Sequence, residues 1–157
     1  MLKFLPPRSC PVASLAIGLI LSSGVALAQS APPPADAHGG TRMVLETGKT
    51  VTDEPIQYPA GKPKITAVEI TLAPGQQTGW HTHPVPLFGY ILEGELTVDY
   101  GPLGKRIYRQ GDALVEAMNE AHNGHNSGQG AVKILAVFIG AEGVPDTTRA
   151  SPPAREK

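Results

Sequence analysis

From Lys64 onward the chain alternates short apolar runs with turn residues. KITAVEITL (64–72) is rich in β-branched residues, and PGQQTG then interrupts it. LFGYIL is an apolar run ended by Glu93-Gly94, and in ELTVDY the residues Leu96, Val98 and Tyr100 alternate with Glu95, Thr97 and Asp99. GPLGK reads as a turn, RIYRQGD as a short strand and a further turn, and ALVEA as another strand. AVKILAVFIG is a strongly apolar strand that closes the series. No window of helix length keeps an apolar stripe at a 3.6-residue period. Many short strands with regularly spaced turns predict an all-β sandwich or barrel.

The segments outside this pattern differ in kind. Lys3 and Arg8 precede an apolar run over 12–26, and Ala26-Leu27-Ala28 has the small-x-small form found before signal cleavage. The run is short for a membrane span and is broken by serines and glycines. Residues 1–28 are therefore expected to be a signal peptide, with the remainder periplasmic or secreted and free of the membrane after cleavage. No twin-arginine pair is present, which points to export in the unfolded state. SAPPPADAHGG has the composition of a flexible arm (29–40), and GVPDTTRASPPAREK that of a flexible tail (143–157). The ordered domain is expected over 41–142.

Composition narrows the chemistry. The single cysteine, Cys10, lies inside the expected signal peptide, so the mature domain has no thiol for a disulfide or a metal and must rely on a hydrophobic core. Removing Lys3 and Arg8 takes the net charge from -1 to about -3, with no basic cluster. Nucleic acid is not an expected partner, because phosphate neutralisation needs concentrated Lys and Arg.

Histidines carry the candidate chemistry. In GWHTHPVPLFGY, His81 and His83 are two apart, so on a strand they project from one face, and Trp80 would point to the other. Pro84 and Pro86 exclude a helix there. Two adjacent imidazoles suit a divalent ion that prefers nitrogen, although the spacing alone is also that of ordinary polar strand residues. GDALVEAMNEAHNGHN adds His122 and His125 after a Gly-Asp turn and a strand. If the sheets face one another, His122 can meet the first pair, giving three imidazoles with an open coordination position. His125, three residues on, would face away and reads as a surface or turn residue.

At this spacing the chain resembles the cupin superfamily, jelly rolls with a metal inside the barrel. Gly75, five residues, His81-Thr82-His83, three residues, Leu87, six residues and Gly94 follow the first cupin motif, with Leu87 where that motif has Glu. Gly111, five residues, Ala117, Asn119, His122 and Asn126 follow the second, with Ala117 and Asn119 replacing its Pro and Gly. The resemblance implies a cupin-like jelly-roll β-barrel and metal ligation by His81, His83 and His122. Loss of the carboxylate leaves three readings: a metal-free pocket, a site of three neutral histidines, or substitution by Glu116. The three-histidine site is favoured here, with Glu116 expected to point outward.

Such a site leaves the full charge of the ion uncompensated, so it would favour small anionic ligands. Leu87, Phe88 and Ile91 are expected to line a dry pocket beside it, and Asn126 to bond backbone. Imidazole ligands and metal uptake outside the cytoplasm favour Zn or Cu, with Fe, Ni or Mn as further candidates. The functional expectation is a binding module that captures a small ligand in the barrel. The alternative is a metal-dependent dioxygenase or related oxidoreductase acting on a small metabolite. Apolar residues on both faces of LFGYIL would suit a homodimer interface as well as a thick core.

Overall fold

The computed structural model describes residues 40–154. The expected signal peptide and nearly all of the expected arm fall outside these residues. Among the described residues no helix is long and apolar enough to cross a membrane.

The all-β expectation holds, with a single 3-10 turn at Gly101–Leu103 as the helical element among the described residues. In chain order the strands are β1 (Pro63–Leu72), β2 (His81–Thr82), β3 (Leu87–Glu93), β4 (Glu95–Asp99), β5 (Lys105–Arg109), β6 (Ala113–Val115), β7 (Asn123–His125), β8 (Val132–Ala141) and β9 (Thr148–Arg149). The longer ones follow the apolar runs of the sequence. β2, β7 and β9, of two or three residues each, are too short to leave a periodic signal.

All pairings are antiparallel. A four-stranded sheet has the order β1-β8-β3-β6, a three-stranded sheet the order β5-β4-β7, and β2 pairs with β9 alone. The longest ladder runs from Pro63 opposite Ala141 to Leu72 opposite Val132. Alternation places Leu87, Gly89 and Ile91 of β3 inward, together with Val132, Ile134, Ala136 and Phe138 of β8. From the three-stranded sheet, Leu96 and Val98 meet Ile91 and Ile134 in one buried cluster. That period-2 burial on both sheets is what holds them face to face.

The sheets do not close into the expected barrel. No ladder joins the two sheets, and beyond β7 the three-stranded sheet is continued only by single bridges, Gln77 with His125 and His81 with His122. Pro84 and Pro86 have no N–H to extend a ladder beyond β2, which is a local reason for the break. Gly94 joins β3 to β4 with φ 81°, and a Cβ there would sit 2.6 Å from the Ala131 carbonyl oxygen. Only glycine fits that turn.

Residues 143–154, expected to belong to a flexible tail, include β9, whose Arg149 and Thr148 lie opposite His81 and Thr82. The outer face of the four-stranded sheet is also partly covered. Phe88, Val115 and Val137 share a groove there with Leu45, Ile56 and Tyr58. This explains why β3 and β8 are apolar on both faces.

Candidate metal centre

Three backbone hydrogen bonds between two segments bring the imidazoles together. The His81 N–H donates to the His122 carbonyl at 3.0 Å, and the His122 N–H donates back to His81 at 2.9 Å. The His83 N–H donates to the Met118 carbonyl at 2.9 Å, which fastens the same two segments one step further on. Directly opposed residues of an antiparallel pair carry their side chains on one face. Accordingly the ring centroids of His81 and His122 lie 4.4 Å apart, those of His81 and His83 4.8 Å, and those of His83 and His122 5.1 Å. One ring nitrogen from each falls within 4.8 Å of the others, so the three could hold a metal ion.

The rings are also oriented for it. Nδ1 of His81 lies 2.7 Å from the Gly79 carbonyl, Nδ1 of His83 2.9 Å from the Asp146 carbonyl, and Nδ1 of His122 2.9 Å from the Glu120 carbonyl. A carbonyl can only accept, so each Nδ1 carries the proton and each Nε2 presents a lone pair. His122 Nε2 is buried with no hydrogen-bond partner. A buried acceptor without a donor is costly, and a cation shared with the neighbouring rings would satisfy it. The donor set, three neutral nitrogens with no thiolate, fits a borderline divalent ion.

Burial keeps the imidazoles neutral. It lowers the pKa of all three below the ordinary histidine value of 6.5, and His83 is pushed down to about 3. Backbone hydrogen bonds to the charged forms oppose this shift, and the mutual repulsion of neighbouring imidazolium groups reinforces it for His81 and His83.

The histidines open onto a cavity of about 690 Å³ with largely apolar walls from β3, β4 and β8, including Leu87, Ile91, Leu96, Ile134 and Phe138. Leu87 and Ile91 line it as expected, but Phe88 does not. It alternates to the outer face of β3 and joins the groove on the far side of the sheet. Trp80, expected on the face away from His81, contributes to the cavity wall. It sits in a bend before β2, where strand alternation does not apply.

Glu116 also departs from expectation. Its side chain is buried in the cavity wall, where Oε1 accepts from the Tyr100 hydroxyl at 2.7 Å and from the Ala117 N–H at 2.8 Å. Burial raises its pKa, and these donors partly offset that effect. The sequence contained the signal, since Glu116 shares the face of buried Leu114 two residues earlier. It does not join the histidine cluster. Tyr108 lies 3.1 Å from the Tyr100 hydroxyl and extends the chain of polar contacts.

His125 lies outside the cluster, on β7 opposite Thr97. Asn126 is buried and bonds backbone, donating to the Leu72 and Gly130 carbonyls and accepting from the Gly128 N–H. Residues the sequence reading passed over come from 146–149. The Asp146 carbonyl orients His83, the Thr147 hydroxyl stands 3.2 Å from His83 Nδ1, and Thr147 and Arg149 both line the cavity. Their composition is that of a linker, so nothing local marked them.

Residues 68–138 match the Cupin domain family (Cupin_2), which supports the cupin superfamily for this chain. No curated protein matches. Among solved structures, an uncharacterised conserved protein with a double-stranded β-helix domain from Klebsiella pneumoniae is 20% identical, with a TM-score of 0.49, covering 68% of this chain and 99% of that one. A cupin domain from Bordetella pertussis is 21% identical, with a TM-score of 0.43, covering 55% of this chain and 99% of that one. An oxalate decarboxylase from Lactobacillus farciminis, solved with formate, is 20% identical with a TM-score of 0.48 over 61% of this chain. The chain spans about a third (33%) of that enzyme's length.

Proposed function

We propose that this cupin-domain protein is exported, binds one divalent metal ion through His81, His83 and His122, and captures a small anionic ligand in the adjoining cavity. One observation carries the reading. The buried, unpartnered Nε2 of His122 stands beside two further imidazoles whose Nδ1 protons are likewise held by backbone carbonyls. Zn or Cu is the favoured ion. When bound it would act as an uncompensated dication toward an anionic donor, because Leu87 supplies no charge where the resembling motif has Glu.

The protein's own part is to orient the rings, exclude water with apolar walls, and leave space for a small molecule. The jelly-roll topology and a homodimer complete the proposal. The dimer would use the outer side of the four-stranded sheet, where Ile65 is largely exposed.

Equilibrium dialysis of the full chain against zinc tests the metal site. We expect one ion per chain, and binding lost when the three histidines are replaced by alanine together. Unchanged stoichiometry in that variant would overturn the reading. Periplasmic and culture-medium fractionation tests export.

A second reading, a metal-dependent dioxygenase or related oxidoreductase acting on a small metabolite, is favoured by Glu116, a buried carboxyl in the same cavity wall. Oxygen consumption by iron- or copper-loaded protein with diketones, thiols or phenols, abolished in His81→Ala, would select it over the binding module.

A further inference from the structure

His122, His81 and Arg149 stand in one row across three neighbouring backbone segments. His81 is bridged to His122 on one side and lies directly opposite Arg149 of β9 on the other. Directly opposed residues of an antiparallel pair share a face, with Cβ atoms roughly 5 Å apart. The two imidazoles obey this, and Arg149 lines the same cavity as both. The Ala150 N–H donates to the Trp80 carbonyl at 3.0 Å, which fixes the register on this side of the row.

Arg149 also differs from the other cations. Six of them each pair with a carboxylate. Arg42 bonds the Tyr90 hydroxyl, and Arg106 lies over the Tyr100 ring. The Arg149 side chain has no hydrogen-bond or ion-pair partner among the described residues. The acid in the cavity wall, Glu116, is held by Tyr100 and the Ala117 N–H, and Asp146 pairs with Lys64. A guanidinium at an exposed edge of a largely apolar cavity is therefore open to an incoming anion. Its planar fork matches a carboxylate bidentately.

We propose that Arg149 is the carboxylate anchor of this cavity. The ligand class is then a small molecule with a carboxylate at one end, a short apolar body, and an oxygen or sulfur donor at the other end directed to the three histidines. The inference rests on the metal-and-ligand reading above and adds the polarity and orientation of the ligand.

The test uses two hydroxamates of equal chain length on the zinc-loaded full chain, followed by calorimetry. Succinic acid monohydroxamate carries a carboxylate distal to its metal-binding end, and butyrohydroxamate carries a methyl group instead. We expect the native chain to bind the carboxylate compound at least tenfold more tightly. Arg149→Gln should abolish that preference while butyrohydroxamate affinity stays within about twofold, and Arg149→Lys should restore part of it. Equal affinity of the two probes for the native chain, equal losses for both in Arg149→Gln, or a preference that survives Arg149→Gln would overturn the anchor and leave the metal reading standing. A chain that takes up no zinc at all would overturn both.

Discussion

His81 and His122 exchange two backbone hydrogen bonds, of 3.0 and 2.9 Å, and stand with their ring centroids 4.4 Å apart. Segments remote in sequence are thus joined at the residues that carry the chemistry. The site is as rigid as the bridge that makes it, and its metal affinity is tied to the backbone geometry on either side.

That tie extends to the segment beyond Glu142. A chain ending at Pro145 keeps all three histidines but loses the Asp146 carbonyl that holds His83 Nδ1, and the strand opposite His81 with it. Removing the group that orients a metal-binding histidine usually costs about 10–100-fold in metal affinity. We expect a loss in that range by competition with a chromophoric chelator. Unchanged affinity would mean that the segment plays no part in the site.

Acid should destabilise the metal-free protein. The imidazoles have pKa values lowered by burial, that of His83 to about 3. Between the ordinary value of 6.5 and the folded value the unfolded chain binds more protons, so stability is complete above 6.5 and is lost as pH falls toward 3. At pH 5 His83 alone should account for about 2 kcal/mol. Glu116, with its pKa raised, acts in the opposite direction and loses stability as pH rises through its folded value. Denaturant midpoints at pH 7 and pH 5, with chelator present, measure the balance. Repeating the pair in Glu116→Gln removes the opposing carboxyl, and equal midpoints in that variant would show that the imidazoles titrate normally.

Leu87→Glu restores a carboxylate at the position where the cupin motif has one. Leu87 is buried against the cavity. Without metal the substitution should cost about 3 kcal/mol or more, because a carboxyl is buried there without a partner. With zinc present most of that loss should be recovered, and zinc affinity should exceed that of the native chain. Equal destabilisation with and without zinc, seen by thermal unfolding, would place the introduced carboxylate out of reach of the ion.

Asn126 tests the scaffold apart from the ion. It is fully buried, and its amide closes three backbone hydrogen bonds across the ends of β1, β7 and β8. Asn126→Ala leaves two carbonyls and one N–H without that partner and should cost about 2–4 kcal/mol. Asn126→Asp should fare little better, since it cannot donate to the two carbonyls. A denaturation midpoint unchanged in the alanine variant would assign those backbone groups to water.

Much of the fold was legible because period-2 alternation is a local property. Leu96, Val98 and Tyr100 read as one face of a strand and are buried together. His81, His83 and His122 stood out because their spacing suits a strand pair and follows a known motif. Glu116 was legible in principle from the alternation with Leu114, and assigning it outward overlooked that period. Phe88 is the same lesson reversed, since its neighbours Leu87 and Gly89 already occupied the inner face.

The amino-acid sequence by itself determined the strand content, the period-2 inner faces and the residue types able to bind a metal, because each depends on residues only a few positions apart. Only the tertiary structure decided that the sheets stop short of a closed barrel and that 146–149 returns to orient His83. It also decided that Arg149 lies in line with His81 and His122. Those relationships are set by hydrogen bonds between segments far apart along the chain, formed when the apolar faces pack. A two-residue strand carries no period of its own to announce them.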